Sequence, residues 1–390
     1  MSSEPFTLRW GILATGGIAT TFTKDLLIDP QTRDASDIRH VVAAAASSTS
    51  ASRAAELLKS INAPPTARAY GSYTELVSDP DIDIIYIATP HSHHYHHARL
   101  CLNAGKHLLV EKPITVNAAQ CQELRKLARE KGRFMMEAVW TRFFPLSREV
   151  CSIIQEGKLG DIKRVFADFS FWNDVQKEFG TQHRMVNPDL AGGALLDLGI
   201  YSLTWLFMAL WHCQPADKRQ EPAVSSAVSK CATGVDETTT VLLRFPGSGA
   251  QGVAGTSIIV ATTPNAEHPN PGGDAVRIQG TLGDLTVDYA PRPRTYTLTP
   301  AVNEKRGKLA DFEYEVVEKF KEIPGGGHGM FWEADECARC IRDGKLESEI
   351  CGLEETEVVM RVMDQVRRQG GVVYPDVIES TESPLDGFGV

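Results

Sequence analysis

A lysine at the end of a buried strand is the first residue whose position suggests chemistry. The apolar run at residues 106–110 predicts a buried parallel strand, and Glu111, Lys112 and Pro113 follow it. In an open α/β sheet, ligands bind at the carboxyl ends of the strands. Because a lysine is rarely buried without a partner or a function, we expect Lys112 to lie at the centre of a catalytic site.

A second polar pair interrupts an apolar helix that the sequence predicts at residues 195–211. Asp197 and Tyr201 are four residues apart, so they share one face of this helix. If the helix lines the ligand cleft, the ammonium of Lys112 would favour the phenolate of Tyr201. The phenolate could then accept the proton of an alcohol while a nicotinamide accepts the hydride. Asp197 would hydrogen-bond the substrate or orient Tyr201. The alternative is a tyrosine at the helix surface, with Asp197 in a cap or a salt bridge.

The first strand, turn and helix have the order that is typical of a dinucleotide-binding domain. Residues 8–14 predict a strand, Gly16 and Gly17 a tight turn, and the residues from Ile18 onward a helix. Gly16 permits close approach of a pyrophosphate, and the helix N-terminus offers free N–H donors. The first position of the G-x-G-x-x-[GA] pattern is Ala14, so an ordinary βα turn is the alternative.

The end of the second predicted strand, residues 40–46, indicates the choice of cofactor. An acidic residue there would bind the ribose 2′-hydroxyl of NAD, whereas a cation accommodates a 2′-phosphate. This sequence has no acid at that position but has Ser47, Ser48 and Arg53. We therefore predict NADP. The alternative is that the serines cap the next helix and that Arg53 is solvated.

A cluster of five histidines, at positions 91, 93, 94, 96 and 97, follows the strand predicted near residues 83–88. No carboxylate or thiol joins them at ligand spacing, so the sequence predicts no metal site. His91 and His94 are three apart on one helix face, and we expect both to lie near the cofactor, together with Thr89.

The order of predicted elements indicates two domains in the 390 residues. Five strands alternating with helices predict a doubly wound parallel (Rossmann) sheet in residues 1–140. Alternating strand patterns with glycine- and proline-rich turns predict a large, mainly antiparallel open sheet in residues 141–390. The predicted fold is therefore an α/β dinucleotide-binding domain followed by an α+β domain for substrate binding and dimerisation.

The composition of the chain indicates which binding partners and which cellular compartment to expect. The net charge of −10 argues against a nucleic-acid partner, and no apolar run of about 18 residues predicts a membrane span. The short polar start and the eight scattered cysteines favour reduced thiols in the cytoplasm. Cys337 and Cys340 form a C-x-x-C pair inside a helical pattern, which favours helix packing over a redox or zinc site.

Six short motifs together resemble one enzyme family: residues 16–19, Thr89-Pro90-His91, 104–107, Glu111-Lys112-Pro113, 137–143 and 192–201. The family is that of glucose–fructose oxidoreductase and inositol dehydrogenase (Gfo/Idh/MocA). The resemblance is strongest to the branch of dimeric dihydrodiol dehydrogenases and fungal NADP-dependent D-xylose 1-dehydrogenases, and it covers essentially the whole chain.

The resemblance implies roles for individual residues. Lys112 and Tyr201 match the family's catalytic pair, Pro113 matches its often cis proline, and Glu111 would meet the nicotinamide. By the same resemblance, Trp140, Arg142 and Phe143 would contact the cofactor or shape the substrate pocket beside it. The polarity of Asn173, His183 and Asp197 suggests that they offer hydrogen bonds to a sugar. The family also implies a homodimer formed through the open face of the second-domain sheet.

The activity predicted from these features is NADP-dependent oxidation of an aldopyranose at C1, first D-xylose to D-xylono-1,5-lactone. A trans-1,2-dihydrodiol is the alternative substrate, because it needs the same hydride and proton geometry. The alternative from another class is a non-catalytic transcriptional regulator that binds NAD(P). Such a protein would have no use for the pair Lys112 and Tyr201.

Overall fold

The computed structural model describes residues 4–264, 273–303, 307–308 and 316–382. Numbered along the chain, the helices are α1 (Gly17–Leu26), α2 (Ala51–Ser60), α3 (Tyr73–Ser78), α4 (His94–Asn103), α5 (Ala118–Lys131), α6 (Pro145–Gln155), α7 (Ile200–Phe207), α8 (Phe331–Arg342), α9 (Leu353–Gly370) and α10 (Asp376–Glu379). The strands are β1 (Phe6–Leu13), β2 (Ile38–Ala46), β3 (Arg68–Tyr70), β4 (Ile84–Ile87), β5 (His107–Glu111), β6 (Met135–Ala138), β7 (Ile162–Ser170), β8 (Ala223–Lys230), β9 (Asp236–Arg244), β10 (Gln251–Ser257), β11 (Val276–Gly280), β12 (Gly283–Val287), β13 (Thr295–Pro300), β14 (Val302–Asn303), β15 (Gly307–Lys308) and β16 (Val317–Phe320).

The chain divides into two compact units. The first comprises Met1–Trp140, Ile323–Met360 and Pro375–Val390, and the second comprises Thr141–Glu322 and Arg361–Tyr374. The first division falls at the residue where the sequence predicts a domain boundary. The second unit differs from the predicted range 141–390, because two C-terminal segments belong to the first unit. Sequence periodicity does not show to which core a late helix returns.

The first unit is built on a six-stranded parallel sheet with the order β3-β2-β1-β4-β5-β6. All four residues of β4 are buried, as expected for a strand covered by helices on both faces. The strand order reverses between β1 and β4, which is the point where doubly wound sheets bind their ligands. The predicted Rossmann topology is therefore confirmed.

One strand of this sheet was not predicted from the sequence. β3 has only three residues, of which Arg68 is exposed and Ala69 and Tyr70 are half-buried. It lies at the edge of the sheet beside β2. Because so short an edge strand needs no apolar run, the sequence predicts only a segment that leads into α3. The predicted count of five strands was therefore one too low.

Helix α8 returns from the far end of the chain and packs against α1, β1 and β2. A buried polar network holds it there. Asp335 accepts two hydrogen bonds from the Arg33 guanidinium, at 2.8 and 2.9 Å, and lies 2.9 Å from His40 Nε2. Trp10 Nε1 donates to His40 Nδ1 at 3.0 Å, which leaves the imidazole N–H on Nε2, facing Asp335. Burial lowers the pKa of His40 and so favours this neutral form.

The second unit contains an eight-stranded sheet with the order β16-β13-β12-β11-β7-β10-β9-β8. Among the described strands of this sheet, only the β7–β10 pair is parallel, so the prediction of a mainly antiparallel sheet is confirmed. In β7, Val165, Ala167 and Phe169 are buried, whereas Arg164 and Phe166 keep exposed surface on the other face. This alternation separates a core face from an open face.

The helix that carries Asp197 and Tyr201 is continuous from Leu195 to His212. Its middle is α7, and the turns Leu195–Gly199 and Met208–His212 on either side are π-helical. The stretch Pro188–His212 is long and apolar enough to cross a membrane by length and composition, but its most apolar window is wholly buried. A core helix of a globular unit has the same properties, so this stretch is weak evidence for a membrane span.

Candidate active site

Glu111 and Lys112 lie at the carboxyl edge of the first sheet. β5 begins and ends one residue later than predicted, so Glu111 is the last residue of the strand. Its buried carboxylate accepts a short hydrogen bond from the Tyr86 hydroxyl and one from the Lys112 backbone N–H at 3.1 Å. The Lys112–Pro113 peptide bond is cis, as the resemblance implies.

His94 joins the ends of β4 and β5. Its Nε2 lies 2.8 Å from the carbonyl oxygen of Thr89, and its Nδ1 lies 2.8 Å from that of Pro113. The side chain has no exposed surface, and burial lowers its pKa to about 3. In this conformation His94 supports the two strand ends and offers no surface to a cofactor. This differs from the cofactor contact that the sequence predicted.

The other histidines of this region pack against aromatic and hydroxyl groups. His91 packs edge-to-face on His94 with ring centroids 5.8 Å apart, and His97 Nδ1 lies 3.1 Å from the Thr89 hydroxyl. Among the described residues, no three histidine, cysteine or acidic side chains are grouped so that they could hold a metal ion.

The cysteine pair of the C-x-x-C motif lies in α8, and both side chains are buried. Burial raises the pKa of the Cys337 thiol well above its ordinary value and that of Cys340 to about 12. A thiol of high pKa is a poor nucleophile and a poor metal ligand. The structure therefore supports the interpretation of these two residues as packing thiols.

The turn between β1 and α1 leaves room for an anion. Cβ atoms added at Gly16 and Gly17 would meet nothing within 4 Å, so a phosphate can approach the backbone closely. Gly16, the N-cap residue of α1, has no side chain to cap this helix. Its N–H groups therefore remain available to a pyrophosphate. Ala14 takes the position of the expected first glycine and has φ of 87°, a conformation that costs a side-chain-bearing residue about 1–2 kcal/mol.

A cavity of about 610 Å³ adjoins this turn, and four predicted cofactor residues line it: Gly16, Ser47, Ser48 and Arg53. Its wall also includes Thr49 and Tyr73, which sequence reasoning missed. The hydroxyl oxygens of Ser47 and Thr49 are 3.0 Å apart, and Tyr73 hydrogen-bonds Ser48. Tyr73 begins a separate short helix, so nothing local in the sequence relates it to the serines. The wall also includes Glu56, but the hydroxyls and the Arg53 guanidinium are the groups that can hold the 2′-phosphate of NADP.

The turn Trp140–Phe143 follows β6 and contains three predicted pocket residues. The Trp140 ring stacks at 6.4 Å on that of His328 within the first unit. Arg142 and Phe143 belong to the second unit, and each has only 5% of its surface exposed. They can therefore offer little surface to a ligand in this conformation.

Asp197 and Tyr201 are both buried in the second unit, with 5% and 8% of their surfaces exposed. The Tyr201 ring packs edge-to-face on Phe169, with centroids 5.3 Å apart. Asp197 Oδ1 forms an ion pair of 3.0 Å with Nη1 of Arg184, whose side chain is 53% exposed. A salt bridge was the alternative that the sequence left open for Asp197, and the structure contains one.

Arg184 is the main residue of this region that sequence reasoning missed. The adjacent His183 was predicted instead, but its ring stacks on Phe179 with centroids 4.4 Å apart. Asn173 donates from Nδ2 to the Ile258 carbonyl at 3.0 Å. The structure thus brings Arg184 to Asp197 and engages His183 and Asn173 elsewhere. The pairing of Lys112 with Tyr201, which lie in different units, stays a prediction from the sequence.

A doubly wound sheet with a glycine turn at a helix N-terminus and a hydroxyl-lined cavity beside it is typical of a dinucleotide-binding protein. Family comparison agrees. Residues 8–139 match the oxidoreductase family with an NAD-binding Rossmann fold, and residues 147–286 match the GFO/IDH/MocA C-terminal domain. The chain belongs to the GFO/IDH/MocA oxidoreductase family, which confirms the resemblance.

Two relatives match almost the whole chain. D-xylose 1-dehydrogenase (NADP(+)) of Hypocrea jecorina is 46% identical over 394 residues, covering 99% of this chain and 98% of the relative. Trans-1,2-dihydrobenzene-1,2-diol dehydrogenase of Bos taurus is 36% identical over 369 residues, covering 94% and 98%. Among solved structures, the aldose-aldose oxidoreductase from Caulobacter crescentus, complexed with glycerol, has a TM-score of 0.72 at 23% identity, covering 94% and 98%. That similarity supports the fold.

Proposed function

We propose that this protein oxidises an aldopyranose at C1 with NADP, first D-xylose to D-xylono-1,5-lactone. The observation that carries this proposal is the 46% identity, over nearly the full length of both chains, to a D-xylose 1-dehydrogenase (NADP(+)). The polar residues Asp197 and Arg184 in the second unit are consistent with a polyhydroxylated substrate, because they supply a hydrogen-bond acceptor and a donor side by side.

The cavity beside the first glycine turn supports NADP as the cofactor. Ser47, Ser48, Thr49 and Arg53 line it, and the acids that would bind a ribose 2′-hydroxyl are replaced by hydroxyls at the end of β2. The nicotinamide supplies the hydride acceptor when it is bound. The protein's own residues have to orient the sugar and remove a proton.

In the proposed mechanism, Tyr201 takes the proton of the C1 hydroxyl at its phenol oxygen. The ammonium of Lys112 favours the phenolate by its charge. Asp197, held by Arg184, hydrogen-bonds a sugar hydroxyl or orients Tyr201. Acid–base assistance of this kind contributes about 10²–10⁴-fold to the rate.

A trans-1,2-dihydrodiol is the second candidate substrate, favoured by the 36% identity to the bovine dihydrodiol dehydrogenase. It requires the same removal of a hydride and a proton. Because both substrates would react by the same mechanism, the contacts of the substrate pocket would determine which of them is preferred.

The experiment is a panel of aldoses and trans-dihydrobenzenediol assayed with NADP and with NAD, with kcat/KM measured for each pair. We expect the highest value for D-xylose with NADP. A higher value for the diol would favour the second candidate, and no turnover with any pair would overturn both.

A further inference from the structure

The amino end of the helix that carries Asp197 and Tyr201 is held by an aspartate from a distant strand. Asp236, the first residue of β9, has 1% of its surface exposed. Its Oδ2 accepts the Leu195 backbone N–H at 2.6 Å and the Thr239 hydroxyl at 3.1 Å. The helix has no capping hydrogen bond from its own N-cap residue, Ala194. Asp236 therefore supplies the cap across 41 residues of sequence.

The two glycines that precede this helix fit around the aspartate. A Cβ atom at Gly193, which has φ of 121°, would lie 2.1 Å from Asp236 Oδ1. A Cβ atom at Gly192 would lie 2.8 Å from the Arg184 carbonyl oxygen. Side chains at either position would displace the carboxylate or the segment that bears Arg184. The Gly192-Gly193 pair thus allows close approach of these elements.

A second side chain holds the same helix end. The Tyr374 hydroxyl donates to the Gly192 carbonyl at 2.6 Å. The Arg367 guanidinium lies over the Tyr374 ring, 4.7 Å from its centroid. Arg367 is also the charged side chain that favours the ionised form of Asp236. Three segments of the second unit therefore meet at the start of this helix.

We propose that Asp236 is a positioning residue, which sets the start of the helix and thereby the placement of Asp197 and Tyr201, two and six residues beyond Leu195. The proposal rests on the proposed function for its catalytic consequence. Asp236 touches neither reacting side chain. It acts through the backbone N–H of Leu195, and a negative group at a helix N-terminus is also favoured by the helix dipole.

Burying the carboxylate of Asp236 costs free energy, so packing alone does not explain why an aspartate occupies this position. Among the described residues its Oδ1 has no hydrogen-bond partner, and burial raises its pKa to about 6. An apolar side chain would avoid this cost but would leave the Leu195 N–H without an acceptor. A buried carboxylate that caps a helix while one of its oxygens has no partner among the described residues is therefore consistent with a positional role.

The test compares Asp236→Ala with Asp236→Asn, which keeps an oxygen acceptor for the Leu195 N–H. We expect Asp236→Ala to lower kcat/KM for the oxidised substrate by about ten- to a hundredfold with unchanged affinity for NADP. Asp236→Asn should recover most of that loss. A matched control is Asp79→Ala, which removes a buried carboxylate that accepts the Asp81 N–H before β4. It should lower stability and leave kcat/KM per folded molecule unchanged.

Hydrogen exchange of the amides from Leu195 to Tyr201 gives a readout that needs no substrate. Exchange should be faster in Asp236→Ala and close to the parent in Asp236→Asn. If Asp236→Ala fails to fold, Asp236→Leu replaces it, because leucine is closer to aspartate in volume and also removes the acceptor of the Leu195 N–H, with the same expected increase in exchange.

Parental exchange and parental kcat/KM in folded Asp236→Ala, or equal losses in the Ala and Asn variants, would overturn the proposal. If the parent turns over no member of the substrate panel, the proposed function fails. The exchange measurement would still decide whether Asp236 positions the helix.

Discussion

At the scale of single residues, the sequence singles out the buried polar pair Asp197 and Tyr201 but not the ion-pair partner of Asp197. Asp197 and Tyr201 stand out because they interrupt an apolar helix at a spacing of four. Arg184 hydrogen-bonds Asp197 from thirteen residues earlier in the chain. Neither helical nor strand periodicity relates the two positions. Local patterns find polar residues that face a core, but they do not find the partner that a loop brings to them.

The residues predicted to bind the cofactor show the same limit of prediction from local sequence. The sequence predicted Ser47, Ser48 and Arg53 from the end of β2, and these residues line one cavity. Tyr73 lines it too, although it lies at the start of α3. Two helix starts converge there because parallel strands bring their carboxyl ends to one edge, a consequence of topology rather than of local sequence.

Arg53 provides the prediction at this scale. Arg53→Ala should raise KM for NADP about tenfold, because a charged hydrogen bond to a phosphate contributes about 1.5–3 kcal/mol. KM for NAD should change little, since NAD has no 2′-phosphate. The measurement is kcat/KM with both cofactors, and Lys59→Ala, in the last turn of the same helix, is the control. Equal losses for the two cofactors would contradict a 2′-phosphate contact.

At the scale of elements, the regular parts of the fold followed from periodicity. The apolar patterns predict helices at residues 18–27 and 117–131 and a strand at 134–139, and the ends of α1, α5 and β6 lie within one residue of these ranges. β3 was missed because an edge strand of three residues has no pattern of its own. The π-helical turns on either side of α7 were not predictable, since a single π turn within an α-helix is too short to leave its own pattern of apolar residues.

Helix α8 contains an unusual acid that gives the prediction at this scale. Glu333 is completely buried, and among the described residues neither of its carboxylate oxygens has a hydrogen-bond partner. Burial, and then the charges of Glu111 and Asp25, raise its pKa well above the ordinary value of 4.5. The folded protein therefore keeps this proton at pH values where the unfolded chain has lost it.

The sign of the pH dependence follows from that proton. The stability that Glu333 contributes is present at low pH and is lost as pH rises from the unfolded pKa toward and through the folded one. Glu333→Gln removes the titration, so its advantage over the parent should be larger at about pH 8 than at about pH 5. Urea denaturation at both pH values measures the difference in free energy of unfolding. A difference that does not change with pH would contradict the assignment.

At the scale of the whole molecule, the open face of the second sheet bears on assembly. Strand register aligns Leu242 with Val253 and Val253 with Phe166, which makes an apolar row across β9, β10 and β7. Leu242 is 45% exposed. An exposed apolar row on a sheet is typical of an interaction surface. We propose that two copies of the chain associate through this face.

The cytoplasmic location stays a prediction from the sequence.

Light scattering after size exclusion tests the association. The parent should have twice the chain mass of 42.7 kDa, and Leu242→Glu should have the mass of one chain. Val373→Glu, at a residue that is 74% exposed and lies outside the strands of this sheet, is the control and should leave the mass unchanged. A monomeric parent, or a Leu242→Glu variant of parental mass, would contradict this interface.

The central proposal, which stays a prediction from the sequence, is that Lys112 and Tyr201 act in one reaction. The most direct measurement is the rate of NADPH formation from D-xylose by Lys112→Met, Tyr201→Phe and the double variant beside the parent. Each single variant should lose about 10²-fold or more in kcat. The double variant should lose little beyond the worse single one, because residues that act as a unit are not additive. Turnover by the double variant at the parental rate, or losses that multiply, would contradict the claim.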